Sequence, residues 1–308
     1  MSLQYHAAQI EVQEEANTRP VAEMLANWAG PVQEFASVAD LIVLATADLH
    51  GRLHFATACG QAPLVEAVGP TTLRLLGPVK PFEGAEALVG GLAINLGQRR
   101  RVRLNGRLRR EGGTCLLEAQ EAFVNCRKYI APSVAVDVEP HVGPIDSSHV
   151  GLDDPWLAGV LSKAETAFLA SVAPDGQPDV SHRGGPPGFL RLDVEQKRLT
   201  WPEFVGDGML KSAGNVRATS QATLLVLDLQ TGDAVELAGD ATYRTLRTAR
   251  EARSDALEQH RDPFPIQGQI DLPIKEARRL TGMIHARRRI AKAEKMTSCS
   301  PIDDQYPQ

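Results

Sequence analysis

The chain contains an internal repeat, and this repeat limits what the chain can fold into. The segment INLGQRRRVRLNG at 94–106 aligns without gaps with LDLQTGDAVELAG at 227–239, an offset of 227 − 94 = 133 residues. Upstream, ATADLHG at 45–51 aligns with ASVAPDG at 170–176, an offset of 170 − 45 = 125 residues. Two matches in the same order indicate a duplicated domain. The second copy carries 133 − 125 = 8 more residues between the matched segments.

The repeated segments have the pattern of β-hairpins. In each, apolar residues alternate with polar ones around a turn that contains Gly or Asp. Such hairpins, with little alternation of strands and long helices, favour a mainly β fold of barrels or sandwiches over a parallel α/β sheet. Flanking helices are predicted over 6–27, over 207–219 and from Pro155 onward, where Asp153 or Asp154 would cap the helix.

The sequence predicts four regions along the chain. Residues 1–131 form a first β domain and residues 152–245 a second. Residues 132–151 are rich in Pro, Ser, Val and Asp without a helical period, which is typical of a linker. Residues 246–308 are predicted to be a helical, charged tail.

Charge and composition exclude several classes of protein. The 33 basic and 38 acidic residues give a net charge of −5, which argues against a general nucleic-acid-binding surface. No apolar run approaches the ~18 residues that span a bilayer, and the N-terminus lacks the basic and apolar regions of a signal peptide. The four cysteines form no C-x-x-C pair, and His50 and His54 lie too far apart in an extended strand to share a metal ion. We therefore expect a cytoplasmic protein with reduced thiols, no metal site, and no membrane or nucleic-acid partner.

Two polar stretches of the second copy have no counterpart in the first. SHRGG at 181–185 aligns with ATACG at 56–60, which lacks the His–Arg pair. GDGMLKSAGN at 206–215 lies in or near the region of the extra residues. Because both stretches occur in one copy and are missing from the other, a shared ligand site is favoured over two incidental loops.

The residue types in these stretches suit a phosphate group. A helix that starts after Gly208 would offer free N–H groups, Lys211 a positive charge and Ser212 a hydroxyl donor. Arg183, at the end of a neighbouring strand, could hold two oxygens at once. A P-loop is excluded because Leu210 stands where its glycine must be, and no G-x-G-x-x-G opens a βαβ unit. The alternative is that Arg183 is a solvated residue at a strand end.

Several segments resemble the FMN-binding split-barrel proteins related to pyridoxamine 5′-phosphate oxidase: FLASVAPDGQPDVSHRGGPPGFLRL, LTWPEF, GDGMLKSAGN, LLVLDL and ELAGDAT. The resemblance covers roughly residues 5–245 and is most specific over 165–240. More narrowly, the chain resembles the tandem members of this group, whose degenerate first barrel ends in a segment like AFVNCRKYI at 122–130. It implies two tandem split barrels, the first degenerate, with FMN at the interface between two barrels.

By position, the resemblance implies that Arg183 and Lys211 hold the FMN phosphate. It implies that Ser212 and Asn215 add hydrogen bonds. It also places Ser181, His182 and Gly184 at the border of the flavin, and Trp201 or Glu203 near the ring or the ribityl chain. Many single-barrel relatives carry an arginine where this chain has Met209. Binding of the FMN phosphate therefore either depends more on Lys211 or is weaker.

The resemblance implies an FMN-dependent oxidoreductase whose substrate is unknown. Residues that bind pyridoxamine phosphate in the true oxidases are not recognisable, so vitamin B6 oxidation is not implied. NADH or NADPH, as electron donor, would have to dock on the flavin itself. The alternatives are a non-catalytic FMN-binding or redox-sensing module, and a structural or interaction protein without flavin. The barrels could pair within one chain or between two chains, and the family habit favours a homodimer.

Overall fold

The structure is a computed structural model of the chain. It describes residues 3–26, 32–48, 50–60, 62–77, 79, 84–130, 134–138, 145–228, 231–246, 264–284 and 286–290. In these ranges the protein is mainly β, with two large antiparallel sheets of seven and nine strands, as predicted. No helix in the described ranges combines the length and the apolar character needed to cross a membrane.

Five helices in the described ranges flank the sheets: α1 (Ala7–Glu15), α2 (Arg19–Ala26), α3 (Val32–Ser37), α4 (Pro155–Lys163) and α5 (Lys211–Thr219). The single helix predicted over 6–27 is wrong, because Asn17 between α1 and α2 adopts a left-handed backbone with φ +56°. The predicted start of α4 is confirmed. Asp154 caps this helix by accepting a hydrogen bond from the Trp156 N–H at 2.8 Å.

The first sheet contains seven strands: β1 (Leu41–Ala47), β2 (Leu53–Cys59), β3 (Val65–Ala67), β4 (Thr72–Leu75), β5 (Glu86–Asn95), β6 (Arg100–Glu111) and β7 (Thr114–Val124). They pair antiparallel in the order β2-β1-β5-β6-β7-β4-β3, and we call this unit the first barrel. Side chains that alternate along the strands, among them Leu44, Leu104 and Leu117, fill its core.

Eleven further strands follow: β8 (Val134–Val138), β9 (Asp146–His149), β10 (Thr166–Val172), β11 (Pro178–Gly184), β12 (Arg191–Asp193), β13 (Arg198–Phe204), β14 (Gln221–Leu227), β15 (Ala234–Asp240), β16 (Thr242–Thr245), β17 (Ile266–Thr281) and β18 (Ala286–Ile290). β8 and β18 pair only with each other among the described strands. The other nine form the second barrel, in the order β11-β10-β14-β15-β17-β13-β12 with β9 and β16 also on β17. Phe189, Trp201 and Leu224 lie in its core.

The predicted duplication is confirmed by the strand register. β1 and β2 pair with Leu41 opposite Cys59. β10 and β11 pair with Thr166 opposite Gly184, and both partners are displaced by the same number, 166 − 41 = 184 − 59 = 125. The ladders β5–β6 and β14–β15 are related in the same way by 133 residues. Each barrel therefore starts from the same pattern of two hairpins.

Two predictions about the flanking regions are wrong. The predicted linker 132–151 contains strands β8 and β9. Residues 266–281 of the predicted helical tail form β17, which pairs with β13 on one side and β15 on the other. Ile270 and Leu272 alternate into the core, so sheet contacts override the charged composition of the neighbouring chain. Residues 247–263 and 291–308 of that tail lie outside the described residues.

The two barrels pack against each other within one chain. One apolar cluster includes residues of both: Leu41, Phe55 and Ile94 from the first barrel, and Phe168, Val180 and Leu225 from the second. Gly90 on β5 allows the backbones to approach, because a Cβ there would lie 2.6 Å from backbone atoms of Asp179 on β11. Of the two pairings that the sequence left open, the structure has the pairing within the chain.

His54 forms a charged cluster that links the barrels. Its Nε2 lies 3.2 Å from Asp48 Oδ2 in the first barrel, and its Nδ1 lies 3.9 Å from Glu236 Oε2 in the second. Arg278 forms an ion pair with the same oxygen of Glu236. The nearby carboxylate of Glu236 raises the pKa of His54 above its ordinary 6.5. Burial and the charge of Arg278 oppose this rise, and the hydrogen bond with Asp48 adds to it.

This cluster should make stability depend on pH. Because the folded state raises the pKa of His54, protonated His54 stabilises the fold at low pH, and the contribution is lost as the pH rises through the folded pKa. The free energy of unfolding of wild type should fall more between about pH 5.5 and about pH 9 than that of His54→Gln. Urea denaturation at both pH values measures the difference, with His50→Gln, an exposed histidine of the same turn, as control. Equal falls in wild type and His54→Gln would contradict the prediction.

Candidate functional site

A cleft lies between the two barrels, where β11, β13 and the start of α5 face β6 and the segment after β7. The first-barrel side is lined by Arg101, Arg103, Asn125, Cys126, Lys128 and Tyr129. The second-barrel side includes His182, Arg183, Gly184, Glu203, Phe204 and residues 206–213. Among the described residues, five basic side chains line the cleft, against the two carboxylates of Glu203 and Asp207. This excess of positive charge favours an anionic ligand.

The start of α5 offers backbone donors to the cleft. Leu210 precedes the helix in a left-handed conformation with φ +50°, and no side chain caps the helix there. The first helical hydrogen bond runs from the Gly214 N–H to the Leu210 carbonyl at 3.0 Å. The N–H groups of residues 211–213 therefore have no acceptor within the helix, and together with the helix dipole they favour an anion.

Arg183 and two serines meet beside this helix start. Arg183 Nη1 donates to Ser181 Oγ at 2.8 Å, and Ser181 Oγ lies 2.7 Å from Ser212 Oγ in the first turn of α5. Arg183 Nε donates to Glu203 Oε1 at 2.6 Å. Four of the predicted site residues thus lie within one hydrogen-bonded group.

Trp201 has a different place from the one predicted. Its side chain is fully buried in the core of the second barrel and does not line the cleft. Its indole N–H donates to Glu203 Oε1 at 3.0 Å. Of the two residues predicted near a flavin, Glu203 faces the cleft, and Trp201 orients Glu203.

The polar ends of Lys211 and Asn215 lie away from this group. Lys211 Nζ donates to Glu121 Oε1 at 2.9 Å and sits 5.6 Å from the centre of the Tyr5 ring. Asn215 Oδ1 accepts a hydrogen bond from Gln9 Nε2 at 2.9 Å. Both residues line a second cavity of about 350 Å³, which Tyr5, Gln9 and Glu121 also border. Lys211 would have to leave Glu121 to reach a phosphate beside Arg183.

A buried carboxylate holds the two walls of the cleft together. Both oxygens of Asp179 on β11 accept hydrogen bonds from Arg103 Nη1 on β6, each at 3.2 Å. Two further groups donate to the same carboxylate, Asn105 Nδ2 at 2.8 Å and Ser212 Oγ at 3.1 Å. Burial alone would raise the pKa of Asp179, but the charges of Arg103 and Lys211 and these hydrogen bonds hold it below its ordinary value.

His182 extends from the opposite face of β11 and meets the first barrel. Arg101 Nη1 donates to His182 Nδ1 at 2.6 Å. Because a guanidinium can only donate, Nδ1 must accept, and the proton of the neutral imidazole lies on Nε2. Burial, with the charges of Arg101 and Arg183, holds the pKa of His182 well below its ordinary 6.5. Nε2 has no hydrogen-bond partner among the described residues.

Tyr129 and Phe204 line the cleft and pack with Phe264 into an apolar cluster that we call the aromatic wall. Tyr129 of the first-barrel side lies 5.2 Å from Phe204 and 5.7 Å from Phe264 between ring centres. Phe204 and Phe264 are themselves 5.2 Å apart. The Tyr129 hydroxyl donates to the Val205 carbonyl at 2.9 Å, which fixes the ring against the second barrel.

Residues 154–275 match the family described as pyridoxamine 5′-phosphate oxidase. The matched segment lies within the second barrel, from α4 to part of β17. No curated protein matches the chain.

Solved structures are similar to a part of the chain of about one barrel's length. HupZ of Group A Streptococcus is 15% identical, with 40% of this chain and 90% of that chain covered and a TM-score of 0.32. A pyridoxamine 5′-phosphate oxidase-related, FMN-binding protein of Nostoc punctiforme is 18% identical, with 42% and 86% covered and a TM-score of 0.30. A protein related to general stress protein 26 from Clostridium acetobutylicum is 10% identical, with 42% and 87% covered and a TM-score of 0.31.

The first-barrel wall of the cleft lies outside the segment that matches the oxidase family, and sequence reasoning missed it. Arg101, Arg103 and Lys128 were not predicted as site residues. A signal was present, because arginines two apart in RRRVR share one face of a strand. Both Arg101 and Arg103 are buried, which an arginine on a solvent-facing strand would not be.

Proposed function

We propose that the protein binds FMN in the cleft between its barrels and uses it as an oxidoreductase. The observation that carries the proposal is the convergence of Arg183, Ser181, Ser212 and the free N–H groups of α5 at one place in the cleft. A phosphate dianion needs several donors and a positive charge, and this group, which we call the phosphate pole, supplies both. The match of residues 154–275 to the pyridoxamine 5′-phosphate oxidase family supports the choice of FMN.

The remainder of the cleft suits a flavin ring. The aromatic wall is apolar, and His182 Nε2 is a buried donor without a partner among the described residues. An acceptor on a flavin would satisfy this donor, which proteins rarely leave unpaired. The cleft encloses about 90 Å³, less than the roughly 300–1,000 Å³ of most ligand pockets. FMN entry therefore requires side chains to move, above all Arg183, which Glu203 holds.

FMN, when bound, supplies the electron chemistry. The chain holds the phosphate through Arg183 and α5 and keeps water from one side of the ring with the aromatic wall. It also keeps His182 neutral, so that its Nε2–H donates a hydrogen bond without adding a charge. NADH or NADPH would have to reach the flavin in the cleft itself, because the sequence has no separate dinucleotide-binding motif. Both walls of the cleft come from one chain, so the proposed site does not depend on the expected homodimer.

Arg183→Ala should weaken FMN binding by about tenfold to a hundredfold, because it removes a charge-assisted hydrogen bond to the phosphate. Riboflavin lacks the phosphate, so its affinity should change little. The visible flavin absorption of the purified protein and titration of both ligands measure the effect. Arg217→Ala removes an arginine of α5 that is paired with Glu15, and it should bind FMN like wild type. A wild type that takes up no FMN, or an Arg183→Ala variant with unchanged FMN affinity, would contradict the proposal.

Turnover separates the oxidoreductase from a non-catalytic flavin module. The FMN-loaded protein should oxidise NADH or NADPH in the presence of an artificial electron acceptor, faster than free FMN at the same concentration. FMN binding without such turnover would favour the redox-sensing module instead. The steady-state rate with each nicotinamide decides between the two.

A further inference from the structure

Arg101 is a buried charge without a counter-ion. The residue is 9% exposed, yet no carboxylate oxygen of the described residues lies within 4.0 Å of its guanidinium. Its acceptors are neutral: His182 Nδ1 at 2.6 Å, Cys126 Sγ at 3.6 Å and the Lys128 carbonyl at 3.4 Å. Its Nε has no partner in the described part of the chain.

The other two arginines of the cleft are paired. Arg103 contacts Asp179, and Arg183 contacts Glu203. Proteins normally pair buried charges, because removing an ion from water costs several kcal/mol. A buried, unpaired guanidinium that lines a cleft is explained if a ligand brings the anion.

Lys128 also lacks a counter-ion, although it is half-buried where Arg101 is buried. Its Nζ donates to the Gly206 carbonyl at 3.4 Å, and within the described ranges no carboxylate oxygen lies within 4.0 Å of it. The Asp207 carboxylate also lines the cleft, but it accepts hydrogen bonds from Asn125 Nδ2 and from the Met209 N–H, each at 3.1 Å. Arg101 and Lys128, joined by a hydrogen bond to the Lys128 carbonyl, form a second cationic group that we call the first-barrel pole.

The first-barrel pole is separate from the phosphate pole. Arg101 contacts His182, and neighbouring residues of an extended strand point to opposite faces, so Arg183 lies across β11 from it. FMN has one phosphate, and the donors around Arg183 suffice for it. We infer that Arg101 and Lys128 bind the carboxylate or phosphate of a second small molecule, the substrate of the bound FMN. This inference rests on the proposed function.

The repeat shows that the two barrels contribute different residues to the cleft. The position 133 residues after Arg101 is Ala234, because 101 + 133 = 234, and the two occupy the same place in β6 and β15. The position 125 residues before Arg183 is Ala58, because 183 − 125 = 58, and these two match in β2 and β11. Each pole thus exists in one barrel only. The duplication has produced one cleft with two different poles, where identical barrels would give two equal sites.

The test titrates inorganic phosphate into the FMN-loaded protein at constant ionic strength and follows the flavin absorption. Arg101→Gln should weaken phosphate binding at least about tenfold and change FMN affinity less than about threefold. Arg183→Gln should have the opposite pattern, with weakened FMN binding. Arg217→Gln, outside the cleft, should leave both affinities unchanged.

Two results would overturn the inference. One is an Arg101→Gln variant that loses FMN but keeps its affinity for riboflavin, because Arg101 would then hold the flavin phosphate. The other is that added phosphate leaves the flavin absorption of the FMN-loaded wild type unchanged. Lys128→Gln is a second variant with the same expected loss of phosphate binding, should Arg101→Gln fail to fold. A wild type that binds no FMN is recognised before phosphate is added and contradicts the proposed function itself.

Discussion

Asp179→Ala should lower the free energy of unfolding by about 3–5 kcal/mol, because it removes one partner of a buried ion pair. Asp179 is 2% exposed, and both its oxygens accept from Arg103. Asn105 and Ser212 donate to the same carboxylate. The variant leaves a buried guanidinium and a buried amide without this acceptor, and it frees the start of α5 from β6.

Two further variants test the cause of the loss. Replacing both partners, with Arg103→Met and Asp179→Leu, should recover much of the stability, since no uncompensated charge remains. Asp240→Ala removes an exposed carboxylate that pairs with Lys275 and should cost less than about 1 kcal/mol. Urea denaturation gives all the values. A cost below about 1 kcal/mol for Asp179→Ala would show that the pair does not hold the barrels together.

The pH dependence of the same variants gives an independent check. Because the folded state lowers the pKa of Asp179, its contribution is present above the unfolded pKa and is lost as the pH falls through the folded pKa. The difference in unfolding free energy between wild type and Asp179→Asn should therefore shrink below about pH 4. The difference should be constant from about pH 5 to about pH 8, where Asp179 is ionised in both states.

Much of each barrel could be predicted from the sequence, because hairpin register is a local property. Alternation of apolar residues and the Asp–Gly turn at 175–176 fix which residues face each other across β10 and β11. The same pattern recurs in β1 and β2, whose register is that of β10 and β11 displaced by 125 residues. The positions of Arg183 at a strand end and Ser212 at a helix start are likewise local features of the sequence, and the structure brings the two residues together through Ser181.

The missed features depend on contacts between distant segments. Lys211 stands at a helix start, but Glu121 on β7 attracts its ammonium, and no local pattern shows that β7 lies there. The alternation of Arg101 and Arg103 shows a shared face, but only the pairing of the barrels shows that this face is buried. β17 is a strand because β13 and β15 flank it, although charged residues around it favour a helix.

Gly184→Ala should destabilise the protein by about 1–3 kcal/mol or more. The substitution adds only one methyl group, but it overpacks a position that has no room for it. A Cβ at this position would lie 1.8 Å from the Tyr129 carbonyl oxygen and 2.7 Å from His182 Cε1. Neither neighbour can retreat easily. Tyr129 is held by its hydrogen bond to the Val205 carbonyl, and His182 by Arg101.

The substitution should also weaken FMN binding, because Tyr129 and His182 stand on opposite walls of the cleft and both must shift. Thermal unfolding and FMN titration measure the two effects. Gly159→Ala is a matched control, since a Cβ there meets nothing within 4 Å. In the interior of α4 it should stabilise the protein by roughly 0.5–1 kcal/mol, the opposite sign. A Gly184→Ala variant with the Tm and FMN affinity of wild type would show that the walls can separate without cost, and that the close approach of Tyr129 to β11 does not shape the site.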